Sequence, residues 1–193
     1  MDDTHRQLPN GPTDDSIPGP AIGDSRPRGS DSMTIQSKEE MFERELRKLY
    51  HAELEILDLH KDLAAAAGSA SVEGLFTGHK EDTVEQIDRI ERMFEAIDRP
   101  PRERGSQLME GLLAEKDEFV SEVRDDELRD LDAIGIGMMN EQFELVILDR
   151  LIILAEALEI PAAVVEDLEA NRAEARAALD RMQALLEERR DDS

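Results

Sequence analysis

The chain has 193 residues, with 47 acids against 23 bases, a formal net charge of -24 and no cysteine. Disulfides, thiolate metal sites and cysteine nucleophiles are therefore excluded. Nucleic acids and anionic membranes are poor partners, because bringing phosphates near such a surface costs work.

Aromatic residues make up only 3%, with no Trp and one Tyr. A core of Leu, Ile, Val, Ala and Met suits helix-on-helix packing, and no strand is expected. No 18-residue apolar run occurs and the N-terminus is polar, so a cytoplasmic protein is the expectation. Arg supplies 18 of the bases and Lys 5. The acid excess reads as adaptation to a salt-rich cytoplasm, where the screening length falls to about 3 Å near 1 M salt. A melting temperature that rises from low to molar KCl is the expected result; a fall would point to an ordinary acidic protein.

Residues 1–35 carry turn clusters (NGP, IPGP, PRGS) among scattered Asp and Ser. They read as a disordered acidic tail that buries too little surface to offset its ordering entropy. Residues 36–190 read as one helical bundle.

The stretch Ser37 to Ala67 predicts a helix of roughly 30 residues, about 45 Å long. Ser37 and Glu40 have the spacing of a capping box. Phe42, Leu46, Leu49, Glu53, Ile56, His60 and Leu63 keep the rhythm of one buried face, and Gly68 stands where a helix-ending glycine belongs. A second helix is expected from a Ser71 cap, with Val72, Phe76, His79, Asp82, Gln86, Ile90 and Met93 on its stripe. The turn Asp98–Pro101 stops it. A shorter helix over Ser106–Val123 reads as a crossover. A fourth, capped by Asp125 or Asp126, runs to about Leu158, with Leu131, Ile134, Met138, Glu141, Glu144, Leu148 and Leu151 facing inward. A fifth starts at Pro161 and carries Val164, Leu168, Asn171, Ala175, Leu179 and Met182. Gly135 and Gly137 lie inside the fourth helix and read as a close helix approach. His51 lies off the main stripe and reads as a surface residue. Two antiparallel pairs joined by a crossover predict an all-α, ferritin-like four-helix bundle.

A carboxylate on a buried stripe is costly unless it is paired or binds a cation. With the first turn centred near residue 69, Glu53 lies opposite Gln86 and within about one turn of Asp82, and His60 lies opposite His79. With the later turn centred near residue 160, Glu144 faces Glu174 and Glu141 faces Ala178. Di-metal bundles use one Glu from each of two helices and a Glu-x-x-His from each of the other two. The metal-ligand candidates are thus Glu53, His79, Asp82, Glu141, Glu144 and Glu174. The order of acid and His on the second helix is reversed, and neither late helix carries His. A structural polar layer, or acids that reach solvent at the stripe edge, is the competing reading.

The runs LRKLYHAELEIL (46–57), GHKEDTVEQIDRIERMFEAI (78–97), MEGLL (109–113) and NEQFE (140–144) together resemble the ferritin-like family typified by the bacterial stress-associated YciE and YciF proteins. The resemblance spans about Lys38 to Met182. It implies a ferritin-like bundle, often dimeric, with a rubrerythrin-like suggestion of metal binding. It places Glu53, His79, Asp82, Gln86, Glu110, Glu141 and Glu144 at the family's polar positions. The chain departs from the pattern with Gln142 and Phe143 between the two acids of the fourth helix, and with Ala170 and Asn171 where the family tends to an acidic pair. Two functions follow: a metal-binding protein with a di-iron centre handling iron or peroxide, or a non-enzymatic bundle acting through self-association or partner binding. A homodimer is expected under either.

Overall fold

The computed structural model describes residues 34–191, so all but the last two residues of the expected tail lie outside the described part. Five helices follow in order: α1 (Lys38–Ala66), α2 (Ala70–Ala96), α3 (Gln107–Glu122), α4 (Asp126–Ala157) and α5 (Ala162–Asp191). No strand is present among the described residues. α1 packs on α2 and α4 on α5; α1 also lies along α4 and α2 along α5, while α3 lies outside against α4 and α1. The all-α four-helix bundle with a crossover helix is thus the observed architecture.

The helix ends follow from local chemistry. Ser37 caps α1 by accepting from the Glu40 N–H at 3.2 Å. The Glu40 carboxylate reaches back to the N–H of Gln36 at 2.7 Å, one residue before the position a capping box would use. α2 and α4 both end on a non-glycine residue in the left-handed region, Asp98 and Glu159, each with φ 54°. Arg99 N–H bonds the Phe94 carbonyl and Ile160 N–H the Ala155 carbonyl, closing each end with the six-to-one bond of a Schellman motif.

Three local expectations need correction. The cap of α2 is Ser69, not Ser71, and the Ser69 hydroxyl caps no backbone N–H of the helix, pairing with the Ser71 hydroxyl at 3.0 Å. Instead, Asp130 of α4 accepts the N–H groups of Gly68 at 2.8 Å and Ser69 at 3.1 Å. Gly68 is not a left-handed helix terminator. A β-carbon there would lie 2.1 Å from the Asp126 carbonyl oxygen, so the glycine lets the α1–α2 corner meet the first turn of α4. On α4, Leu131 is 38% exposed and its neighbour Asp130 faces inward. The inward phase in the first turns of this long helix therefore differs by one position from the stripe read in sequence.

Two large apolar clusters fill the bundle, and a small third one, Ala52, Ile56 and Met109, joins α3 to α1. One gathers Phe42, Leu46, Leu49, Ile90, Phe94, Leu148 and Leu151. The other gathers Leu59, Leu63, Val72, Phe76, Ile134 and Met182. Gly137 serves the close approach expected of it, because a β-carbon would sit 2.8 Å from the Phe76 ring and 3.0 Å from Met182. Gly135 faces open space. Between the clusters the core turns polar.

Candidate metal centre

Residues seven apart on a helix return to nearly the same face. α1 thereby places Glu53 and His60 inward, and α2 places His79 and Gln86. α4 adds Asn140, Glu141 and Glu144, and α5 adds Asn171. All eight are at most 2% exposed. Such a concentration of polar groups in a bundle core is costly unless its lone pairs and protons find partners.

Some do. His79 Nε2 lies 2.9 Å from Glu141 Oε1, and the Asn140 amide donates weakly to the same oxygen at 3.4 Å. Many do not. Both oxygens of Glu53, both ring nitrogens of His60, Glu144 Oε1, Glu141 Oε2, His79 Nδ1 and Gln86 Nε2 have no hydrogen-bond partner. The two imidazoles stand with ring centres 4.5 Å apart. Donor atoms of His60, His79 and Glu141 all lie within 4.8 Å of one another.

Burial and mutual charge set the protonation of this layer. Burial, then the charge of Glu141, raises the Glu53 carboxyl to about 8. Burial and the charges of Glu53 and Glu141 raise Glu144 well above the carboxylate range. The two acids also act on each other, Glu144 easing the rise at Glu53 and Glu53 adding to the rise at Glu144. Burial pulls His60 well below the usual imidazole value, and the neighbouring His79 lowers it further. Burial also disfavours charged His79, but the bond and charge of Glu141, with help from Asp82, outweigh it and raise the group. His60 is therefore a neutral donor at physiological pH, and His79 holds its proton against Glu141.

The expected ligands fall into three groups. His79 and Glu141 are in direct contact, and Glu53 and Glu144 are buried beside them. Asp82 is about half exposed; it lies 3.6 Å from His79 Nδ1 and 3.8 Å from Arg181. Glu174 is 31% exposed and bound to Arg89 of α2. His60, read in sequence only as facing His79, joins His79 and Glu141. Its signal was that register, since the Glu-x-x-His template gives no reason to count it. Arg89 carried no sequence signal, because an arginine at a stripe edge reads as surface.

The donor set of two imidazoles among carboxylates suits borderline divalent cations such as Fe(II), Mn(II) or Zn(II) better than Ca(II) or Mg(II). The orphaned lone pairs point the same way, since a bound cation would satisfy them.

Comparison with known proteins places the chain. It is 29% identical to protein YciF of Escherichia coli over 127 residues, covering 65% of this chain and 76% of that protein. Among solved structures, the E. coli stress protein YciF superimposes with a TM-score of 0.74 at 26% identity, covering 78% of this chain and 95% of that one. A protein from Rhodopseudomonas palustris, YcfI, provisionally described as structural, gives a TM-score of 0.76 at 27% identity, over 79% and 96% of the two chains. The profile of the DUF892 family, a domain of unknown function, matches residues 37–192. By this match, which covers most of its length, the chain belongs to the DUF892 family.

Proposed function

We propose that the mid-bundle layer binds a divalent transition metal, iron foremost, and that this is the protein's biochemical role. The observation that carries the reading is the set of buried polar atoms without partners: both oxygens of Glu53, one oxygen each of Glu141 and Glu144, and both ring nitrogens of His60. Native cores rarely leave such groups unpartnered. A cation at His60, His79 and Glu141 would replace the proton that His79 holds against Glu141. Iron would supply a ferrous–ferric couple. The description of the E. coli relative as a stress protein supports a role in metal or oxidant stress.

A second reading has its own observation. A groove of about 980 Å³ between α3 and α4 is lined by Leu108, Leu112, Met138, Met139 and Phe143. Leu108 is 63% and Met139 49% exposed. This favours self-association, as a homodimer, or partner binding.

One experiment separates the two. The full chain is purified in molar salt, incubated with Fe(II), freed of excess metal, and measured for metal content and molar mass. Retained iron that is lost in His79→Ala and Glu141→Ala supports the metal reading. No retained metal, together with a dimer that Met139→Glu dissociates, replaces it with the second.

A further inference from the structure

α2 and α5 meet across the bundle with two pairs at i, i+3 spacing, Gln86-x-x-Arg89 and Asn171-x-x-Glu174. In dinuclear carboxylate bundles that spacing carries Glu-x-x-His on each of two helices. Here the spacing is kept and the chemistry is changed. An amide and a guanidinium stand on one helix, an amide and a carboxylate on the other.

The four groups do not wait for a ligand in the same way. Arg89 Nη1 donates to Glu174 Oε2 at 2.6 Å and to Asn171 Oδ1 at 2.8 Å. Its Nη2 donates to Glu174 Oε1 at 2.6 Å and weakly to Glu85 at 3.5 Å. Both Glu174 oxygens are thus engaged in a fork-to-fork pair, the strongest geometry a carboxylate and a guanidinium adopt. The Arg89 side chain is 14% exposed, so releasing Glu174 would leave a largely covered cation with only Asn171 and the distant Glu85.

Resting on the metal-binding reading, we infer that Arg89 is a resident cation standing in place of a second metal ion, so that each chain holds one divalent cation, at His60, His79 and Glu141. Three facts converge on this. The nitrogen donors lie at one level of the bundle, and His79 precedes Arg89 by ten residues on α2, about 15 Å along the axis. α5 carries no histidine and offers the layer Asn171 and Glu174, both already bound to Arg89. Gln86, opposite Glu53 in register, is neutral and cannot balance the charge of a second ion.

The test is Mn(II) binding to the full chain in molar salt, read by equilibrium dialysis with elemental analysis and by electron paramagnetic resonance. Wild type is expected to bind one Mn(II) per chain, with an uncoupled six-line spectrum. Arg89→Met, which removes the charge and keeps the stem, should bind two, the second ion too far from the first along the bundle for exchange coupling. Adding Glu174→Gln to Arg89→Met should return the count to one. Two ions in wild type would overturn the inference and leave the metal-binding reading standing. No ion in wild type would overturn both. An unchanged count of one in Arg89→Met would also overturn it. If Arg89→Met does not fold, Glu174→Gln alone decides: an unchanged wild-type count supports the inference, and a lower one overturns it by making Glu174 a ligand.

Discussion

Two of the regions in which this bundle buries carboxylates do so in opposite ways. At the α1–α2 corner, Asp130 is 3% exposed and fully served: it accepts from Gly68 and Ser69 N–H groups and from Arg189. Burial alone would raise its carboxyl, but the bonds from Ser69, Gly68 and Arg189 win and lower it. At mid-bundle, Glu53 and Glu144 lie deeper still, have no N–H or cationic donor, and are raised instead. The same chemical group is thus stabilised as an anion near the bundle end, where donors reach it, and pushed towards neutrality deep at mid-bundle, where they do not. A carboxylate kept for structure comes with its donors; the mid-bundle pair lacks them, which is the arrangement expected of acids that meet a cation from outside.

The comparison can be broken hardest at the corner. Gly68→Ala should cost the most, because its β-carbon would meet backbone at Asp126 and neither helix end can retreat. Thermal unfolding should report a loss of about 4 kcal/mol or no folded protein, in the range of severe single-site effects. Asp130→Ala should follow, at about 3 kcal/mol, because it strips a buried charge from Arg189 and two backbone donors at once. A loss below about 1 kcal/mol in denaturant titration would mean that the corner is held by packing alone.

At mid-bundle the sign should reverse. Glu53→Gln should stabilise the metal-free protein by about 2 kcal/mol at pH 8–9, because it removes a buried acid without donors and gives Glu144 an amide N–H. The pH dependence follows from linkage. A carboxyl raised from 4.5 to about 8 contributes stability that is fully present below 4.5 and lost as pH rises through about 8. The advantage of the Glu53→Gln variant should therefore be small at pH 4–5, grow towards pH 8 and level off above it. Asp130, being lowered, behaves oppositely: its contribution is present above its unfolded value and lost only on acidification. Equal stability of Glu53→Gln and wild type across that range would show that the mid-bundle acids are as well served as Asp130.

Much of the architecture was legible because apolar residues repeat along each helix and Pro, Gly and capping residues mark the ends. The polar layer was legible for the same reason: Glu53, His79, Glu141 and Glu144 fall on stripes that are otherwise apolar. What escaped sequence reading depends on contacts between distant parts of the chain. Asp130 carried no signal in the sequence, because its partners at Gly68 and Arg189 lie about 60 residues away on either side. Leu131 was placed inward because one fixed phase was carried through α4, a helix of 32 residues. A helical stripe drifts against a heptad count over that length. His60 was seen opposite His79 yet not counted as a donor, since no template asks for it there. Glu174 was counted as free for metal, and only the Arg89 guanidinium across the α2–α5 seam reveals its engagement.

That seam also bears on how the protein matures. Arg89, Asn171 and Glu174 are made by the ribosome with the rest of the chain, so α2 and α5 can lock together before any cofactor is delivered. Chelation cannot strip the guanidinium and oxidation cannot change its charge. A bundle closed this way would assemble whether or not a metal ion is present.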